Sequence, residues 1–157
     1  MIDYNMNRSK LITDVKEFFD IDELVCNHVL KRWKNDTERA WDFLDTKYLA
    51  NLLVIRRDIL QHPMYCNYHE KGRHQRGLRC NLCELVKDKD YAYMSAHILG
   101  KAGDFTVRGM SAEDARLRIK LLAGALPYPI RLEKDVSWLH FDVMPLEDGQ
   151  KVYEFSA

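Results

Sequence analysis

Two short segments, Ser95-Ala-His97-Ile-Leu-Gly100-Lys-Ala102-Gly-Asp104 and Trp138-Leu-His140-Phe-Asp142, carry two imidazoles and a carboxylate at positions where they could share one metal ion. A catalytic zinc takes three protein ligands and keeps a fourth position for water, and two histidines with one carboxylate form such a set. His97, Asp104 and His140 are therefore the candidate ligands of one catalytic zinc. On this reading His97 ends one strand and Asp104 begins the next, with the intervening glycines letting the chain turn back. His140 then arrives from a neighbouring strand. Ser95 and Asp142 each lie two residues from a ligand, on its strand face, and are placed to support the ligands from behind. Trp138, on the face of His140, either walls a substrate cleft or packs across strands.

These ligands need elements to hold them. In VSWLHFDV, Ser137, Leu139, Phe141 and Val143 fall on one face and Val136, Trp138, His140 and Asp142 on the other, the alternation of a half-buried strand. YAYMSAHIL and DFTVRG read as two more strands joined by GKAG, and IRL and KVYEF as the last ones, with a turn at 147–150. The first half reads helical. Leu24, Val25, His28 and Val29 recur at helical spacing behind Asp20 or Asp22 as N-cap, and a longer helix is expected over 45–60, stopped before Pro63. PMYCN is a short extended piece, and 69–90 a long polar, basic loop near the cleft. Ser111 with Asp114 opens a further helix. Helices first and a mostly antiparallel sheet later make an α+β fold, read as a single domain over 1–157 because no repeat or linker divides it.

SAHILGKAGD carries in full the S-x-H-x-x-G-x-A-x-D pattern of the zinc D-alanyl-D-alanine carboxypeptidases, and SWLHFD is similar to the W-x-H-x-D segment that brings their third ligand. The chain resembles this family from ELVCNHV through RGLRC to the last strand, and most of all its short phage and prophage members. The family shares its metal site and sheet with lysostaphin-type endopeptidases and the Hedgehog signalling domain. The resemblance implies hydrolysis of a peptide bond in peptidoglycan stem peptides, by a carboxypeptidase or an endopeptidase. It also implies an acidic general base shortly before the last histidine. Glu133 and Asp135 stand seven and five residues before His140, while Ser137 occupies a position that is acidic in some relatives. Glu133 is preferred because RLEKDVSWLH reads as strand, bend and strand, which returns it to the metal; Asp135 is the alternative base. The family carries an arginine in a glycine-containing turn upstream of the first histidine. QRGLRC fits that place, making Arg79 the first choice and Arg76 the second for an oxyanion or a peptide carboxylate. A non-catalytic relative that keeps the metal for binding, as in the Hedgehog branch, is a further alternative.

The cysteines offer a competing constellation. Cys66-x2-His69 and Cys80-x2-Cys83 have the spacing of a tetrahedral structural zinc site, with Lys71, Arg73, His74, Arg76 and Arg79 between them, so a small nucleic-acid-binding zinc module is the alternative from a different class. Against it, the 24 basic and 24 acidic residues balance, which gives no field favouring nucleic acid. Cys26, in IDELVCNHVL, reads as a small buried residue. No apolar run approaches the roughly 20 residues that span a bilayer, and MIDYNMNRSKLITDVKEFF lacks the apolar core of a secretory signal. The expectation is a monomer made in the cytoplasm that reaches the cell wall after release or delivery, with neither nucleic acid nor membrane insertion among its partners.

Overall fold

The N-terminal half is set by short capped helices. The computed structural model describes residues 7–147 and 149–157, so residues 1–6 of the N-terminal segment and Asp148 of the expected 147–150 turn lie outside the described residues. Helix α1, Arg8–Val15, packs on α4, Thr46–Val54, whose first amides are accepted by the Asp45 carboxylate. A π-helical turn, Ile55–Leu60, continues α4 and stops at Gln61 in the left-handed region, so the helix expected over 45–60 is present but widens in its last turn. The helix expected through Leu24 and Val29 is broken in two, α2 at Ile21–Leu24 and α3 at Asn27–Arg32. The reason lies between them. Val25 is extended and bridges Leu78, with the Leu78 amide donating to Leu24 at 2.8 Å and the Cys26 amide to Leu78 at 3.0 Å.

Five strands form one α+β sheet in the order β1-β2-β4-β3-β5: β1 Met64–Tyr65, β2 Ala102–Val107, β3 Ile130–Glu133, β4 Leu139–Asp142 and β5 Val152–Phe155. All pairings are antiparallel except β3 with β5. The alternation in β4 is as expected. Leu139 and Phe141 are buried against the helices, where Tyr48 of α4 and Phe105 of β2 both stack with Phe141. Helix α5, Ala112–Leu121, begins at Ser111, whose hydroxyl accepts the Asp114 amide, and packs on β4 and β2. Trp41 is buried in the helical half, and Trp33 lies beside Phe43 under the guanidinium groups of Arg32 and Arg39.

YAYMSAHIL does not form the expected strand. Residues 92–95 have no regular secondary structure, and 96–100 fold into turns. The edge of β2 that it would need is already taken, because the Asp104 amide donates to the Arg76 carbonyl at 2.8 Å and β1 pairs with Thr106 and Val107. Gly100 closes the turn with φ +68°, and its carbonyl accepts the Asp45 amide at 2.9 Å.

A side chain at Gly100 would be strained by that positive φ and would overlap the Phe43 carbonyl oxygen. Gly100→Ala is expected to cost about 2 kcal/mol or more, a fall in Tm of about 4–8 °C for a chain of this length. Gly124→Ala, where a Cβ meets nothing within 4 Å, serves as the control and should melt near the wild type. Equal melting of the two variants would contradict this account of the turn.

Candidate metal centre

Register brings the first group together. In the β2–β4 pairing Asp104 stands directly opposite His140 and Ala102 opposite Asp142, so these side chains share the sheet face turned away from the helices. The Asp104 carboxylate lies 2.7 Å from Nδ1 of His140 and 3.5 Å from Nε2 of His97. His97 reaches this point from the 96–100 turn. Its Nδ1–H donates to the Gly77 carbonyl at 2.9 Å, which leaves Nε2 facing Asp104. His140 is held the opposite way round. Its Nε2–H donates to Asp142 at 3.0 Å, leaving Nδ1 toward Asp104. The three donor atoms lie within 4.8 Å of one another. Each imidazole therefore has its distal nitrogen fixed by an acceptor and its proximal nitrogen directed at a common point, as metal-ligating histidines do.

Behind this group sits a second layer. Asp142 is fully buried and accepts two hydrogen bonds from Arg131 of β3, at 2.8 and 2.9 Å, as well as the Met144 amide at 3.0 Å. The expected supporting role of Asp142 thus matches its placement. That of Ser95 does not: its hydroxyl accepts the Ile98 amide at 3.4 Å and closes its own turn. The support for His97 comes instead from Gly77, where a Cβ would overlap the Leu24 carbonyl. The glycine in QRGLRC was the available signal.

The group forms one wall of an open cleft of about 500 Å³, whose lining includes Arg79, Glu133, Trp138, Tyr93, Met94 and Phe155. Glu133 lies two residues beyond Arg131 on β3 and so on the same face, nearly buried at 9% exposure. Asp135 is placed elsewhere. It sits exposed in the β3–β4 bend at φ +63°, with its carboxylate accepting the Ser156 hydroxyl at 3.2 Å. Arg116 of α5 fixes that bend by donating to the carbonyls of Glu133, Val136 and Trp138 at 3.1–3.3 Å. The sequence reading missed it, since nothing in a helical arginine announces such a clamp. Arg79 lies at the cleft with Nη2 3.5 Å from Asp104, and its Nε donates to the Gln75 carbonyl. Arg76, expected as a substrate-binding residue, is not among the residues lining the cleft; its guanidinium donates to the Cys66 carbonyl and the Thr106 hydroxyl, a tie between loop and sheet.

The expected Cys66/His69/Cys80/Cys83 grouping is not assembled. Cys66 is buried in the main core, and His69 pairs with His74 and the Asp22 carbonyl. Cys80 and Cys83 instead meet Cys26 and His28, a second group whose composition and spacing could hold a metal ion. No protein-family model matches the chain, and no curated protein or solved structure matches it significantly.

Titration of the cleft group follows from its contacts. Burial would raise the Asp104 carboxyl, but hydrogen bonds with His140 and His97 outweigh it and hold the group far below the usual carboxylate range. Burial would lower His140, yet its bonds to Asp104 and Asp142 push it up to about 9 in the absence of metal. The depressed carboxylates contribute stability above their ordinary value of 3.8, and this is lost as pH falls through their lowered values. The raised imidazole contributes fully below 6.5, and that stability is lost as pH rises through about 9. Chelator-treated protein should therefore melt highest between about pH 4 and 6.5 and lose Tm toward about pH 9.5. Metal binding, which needs a neutral imidazole, should strengthen over the same rise. Melting curves of metal-free wild type and His140→Gln across this range test the point: a wild-type Tm that holds or climbs above pH 7 would contradict the ion-paired imidazole.

Proposed function

We propose that this chain is a zinc-dependent peptidase that hydrolyses peptidoglycan stem peptides, as a D-alanyl-D-alanine carboxypeptidase or a cell-wall endopeptidase. The observation that carries the reading is the convergence of His97 Nε2, Asp104 and His140 Nδ1 beside Glu133 in one cleft, with each imidazole oriented by its own acceptor. The substrate class rests on the resemblance of SAHILGKAGD and SWLHFD to the D-alanyl-D-alanine carboxypeptidases. The donor set of two nitrogens and a carboxylate suits zinc, and all three residues are nearly buried.

Zinc held there would supply Lewis acidity toward a peptide carbonyl and would acidify water to a pKa of about 7. The rest is work for the protein's own side chains. Glu133 takes the proton from the attacking water on a carboxylate oxygen and delivers it to the leaving amine nitrogen. Its position on a paired strand, with its carbonyl clamped by Arg116, fixes where that oxygen lies. Arg79 offers its planar fork of donors to the oxyanion or to the substrate's terminal carboxylate. Trp138 and Tyr93 wall the cleft around the peptide. Glu133 in the cleft favours catalysis over a Hedgehog-like binding role, which needs no base.

A base acts on the chemical step and is not a ligand, so Glu133→Gln should keep its zinc and lose about 10²- to 10⁴-fold in kcat on muropeptides. Asp135→Asn, altered in a solvent-facing bend, should remain near normal. His97→Ala and His140→Ala should each release the zinc of this cleft. Metal content and muropeptide turnover of all four variants decide the matter. A fully active Glu133→Gln enzyme would remove Glu133 from the mechanism, and inactive wild type with zinc bound would leave the binding-domain alternative.

A further inference from the structure

We propose that Cys26, His28, Cys80 and Cys83 bind a second zinc ion in a closed Cys3His site, which staples the basic loop to the N-terminal helices. Sγ of Cys80 lies 3.6 Å from Nδ1 of His28 and 4.0 Å from Sγ of Cys83, and Sγ of Cys83 lies 3.7 Å from the same Nδ1. With Cys26 included, all four donor atoms lie within 4.8 Å of one another. Zinc–sulfur and zinc–nitrogen bonds of about 2.3 and 2.0–2.1 Å put tetrahedral ligands about 3.6–3.8 Å apart. His28, Cys80 and Cys83 are therefore spaced close to three corners of such a tetrahedron, with Cys26 near the fourth.

Three further features point the same way. Backbone amides are directed at the sulfurs: Leu82 N–H donates to Cys80 Sγ at 3.4 Å and Cys80 N–H to Cys83 Sγ at 3.3 Å, hydrogen bonds that a metal-bound sulfur can accept. The two ligand-bearing segments are already joined, through the Val25–Leu78 bridge and the Cys26 amide bonded to Leu78, so donors 52 residues or more apart in sequence are brought together by the backbone. Cys26 and Cys83 are buried, with Val86, Val29 and Ile98 packed around them, while His28 and Cys80 are half-buried at the wall of a cavity of about 540 Å³; four protein donors leave no coordination position for substrate, which suits a structural ion. Soft sulfur donors select zinc over magnesium or calcium. A disulfide is the competing chemistry, but three thiols cannot all pair, and one imidazole among them has no part in it.

The staple acts on a segment that lacks regular structure. Between Tyr68 and Asp90 the described backbone forms short turns and a single helical turn, His69–Lys71. The 76–83 stretch is where this loop meets both the cleft and the helices. The proposal does not depend on the peptidase reading, because the cysteine group shares no ligand with the cleft.

Zinc counted by native mass spectrometry on the full chain, purified under reducing conditions, tests it. About two zinc ions per wild-type chain are expected. Cys80→Ser with Cys83→Ser should lose one and keep the other, while His97→Ala should lose the second and keep the cysteine-bound one. After exchange into Co2+, His97→Ala should retain a sulfur-to-cobalt charge-transfer band that the double cysteine variant lacks. Should the cysteine variant fail to fold, thiol alkylation of wild type supplies the same answer: Cys80, only half-buried, should resist iodoacetamide until a chelator is added. One zinc in wild type that survives His97→Ala and vanishes with the cysteines supports the staple and removes the cleft metal. One zinc that survives the cysteine changes, immediate alkylation of Cys80 in the untreated protein, or an intact mass two hydrogens short from a Cys80–Cys83 disulfide would overturn the proposal.

Discussion

The cross-strand pair of Asp104 and His140 fixes more of this molecule than any other contact. The two residues face each other across β2 and β4, and their neighbours Phe105 and Leu139 face each other on the opposite side of the same strands. One register therefore sets both the polar cleft and the apolar core. A slip of a single residue would turn Phe141 and Leu139 toward the cleft and bury His140 and Asp142 among Tyr48, Phe19 and the α5 helix. Core and site cannot be tuned independently, because they are alternate residues of one strand.

The surroundings of that pair consist of polar groups satisfied in turn. Asp142 holds His140, and Arg131 holds Asp142. Gly77 holds His97, and the bend that carries Glu133 is gripped by the buried guanidinium of Arg116. Buried polar groups are costly unless they are hydrogen-bonded, so each tie removes a penalty as well as orienting a side chain. The result is a sheet face of mutually tied polar groups, to whose rim Tyr93 and Met94 are added by a segment without regular secondary structure.

Much of this could be read along the chain, where the signal is local. Period two in VSWLHFDV separated core from cleft, Ser111 announced α5, and helical spacing over 45–60 announced α4, because these are patterns of neighbouring residues. The misses came from contacts that no local pattern encodes. YAYMSAHIL has the composition of a strand, but a strand needs a free edge, and Arg76 with β1 had taken it. Cys26 looked like a small core residue and is indeed buried, yet two of its three partners, Cys80 and Cys83, lie more than 50 residues away. Arg131 and Glu133 alternate in IRLE as plainly as the residues of β4 do, and period two applied there would have placed Arg131 on the cleft face.

The stretch 76–80 has a consequence of its own. Arg76 gives its carbonyl to the Asp104 amide, Gly77 gives its carbonyl to His97, Leu78 is bonded to Leu24 and Cys26, the Arg79 amide donates to the His97 carbonyl, and Cys80 enters the cysteine group. Five consecutive residues are thus the common border of two clusters of donor atoms. By reciprocity, if an occupant of the cysteine group raises affinity at the cleft by some factor, an occupant of the cleft raises affinity at the cysteine group by the same factor. Two chemically separate groups, one sulfur-rich and one lining a cleft, thus share a border of five residues.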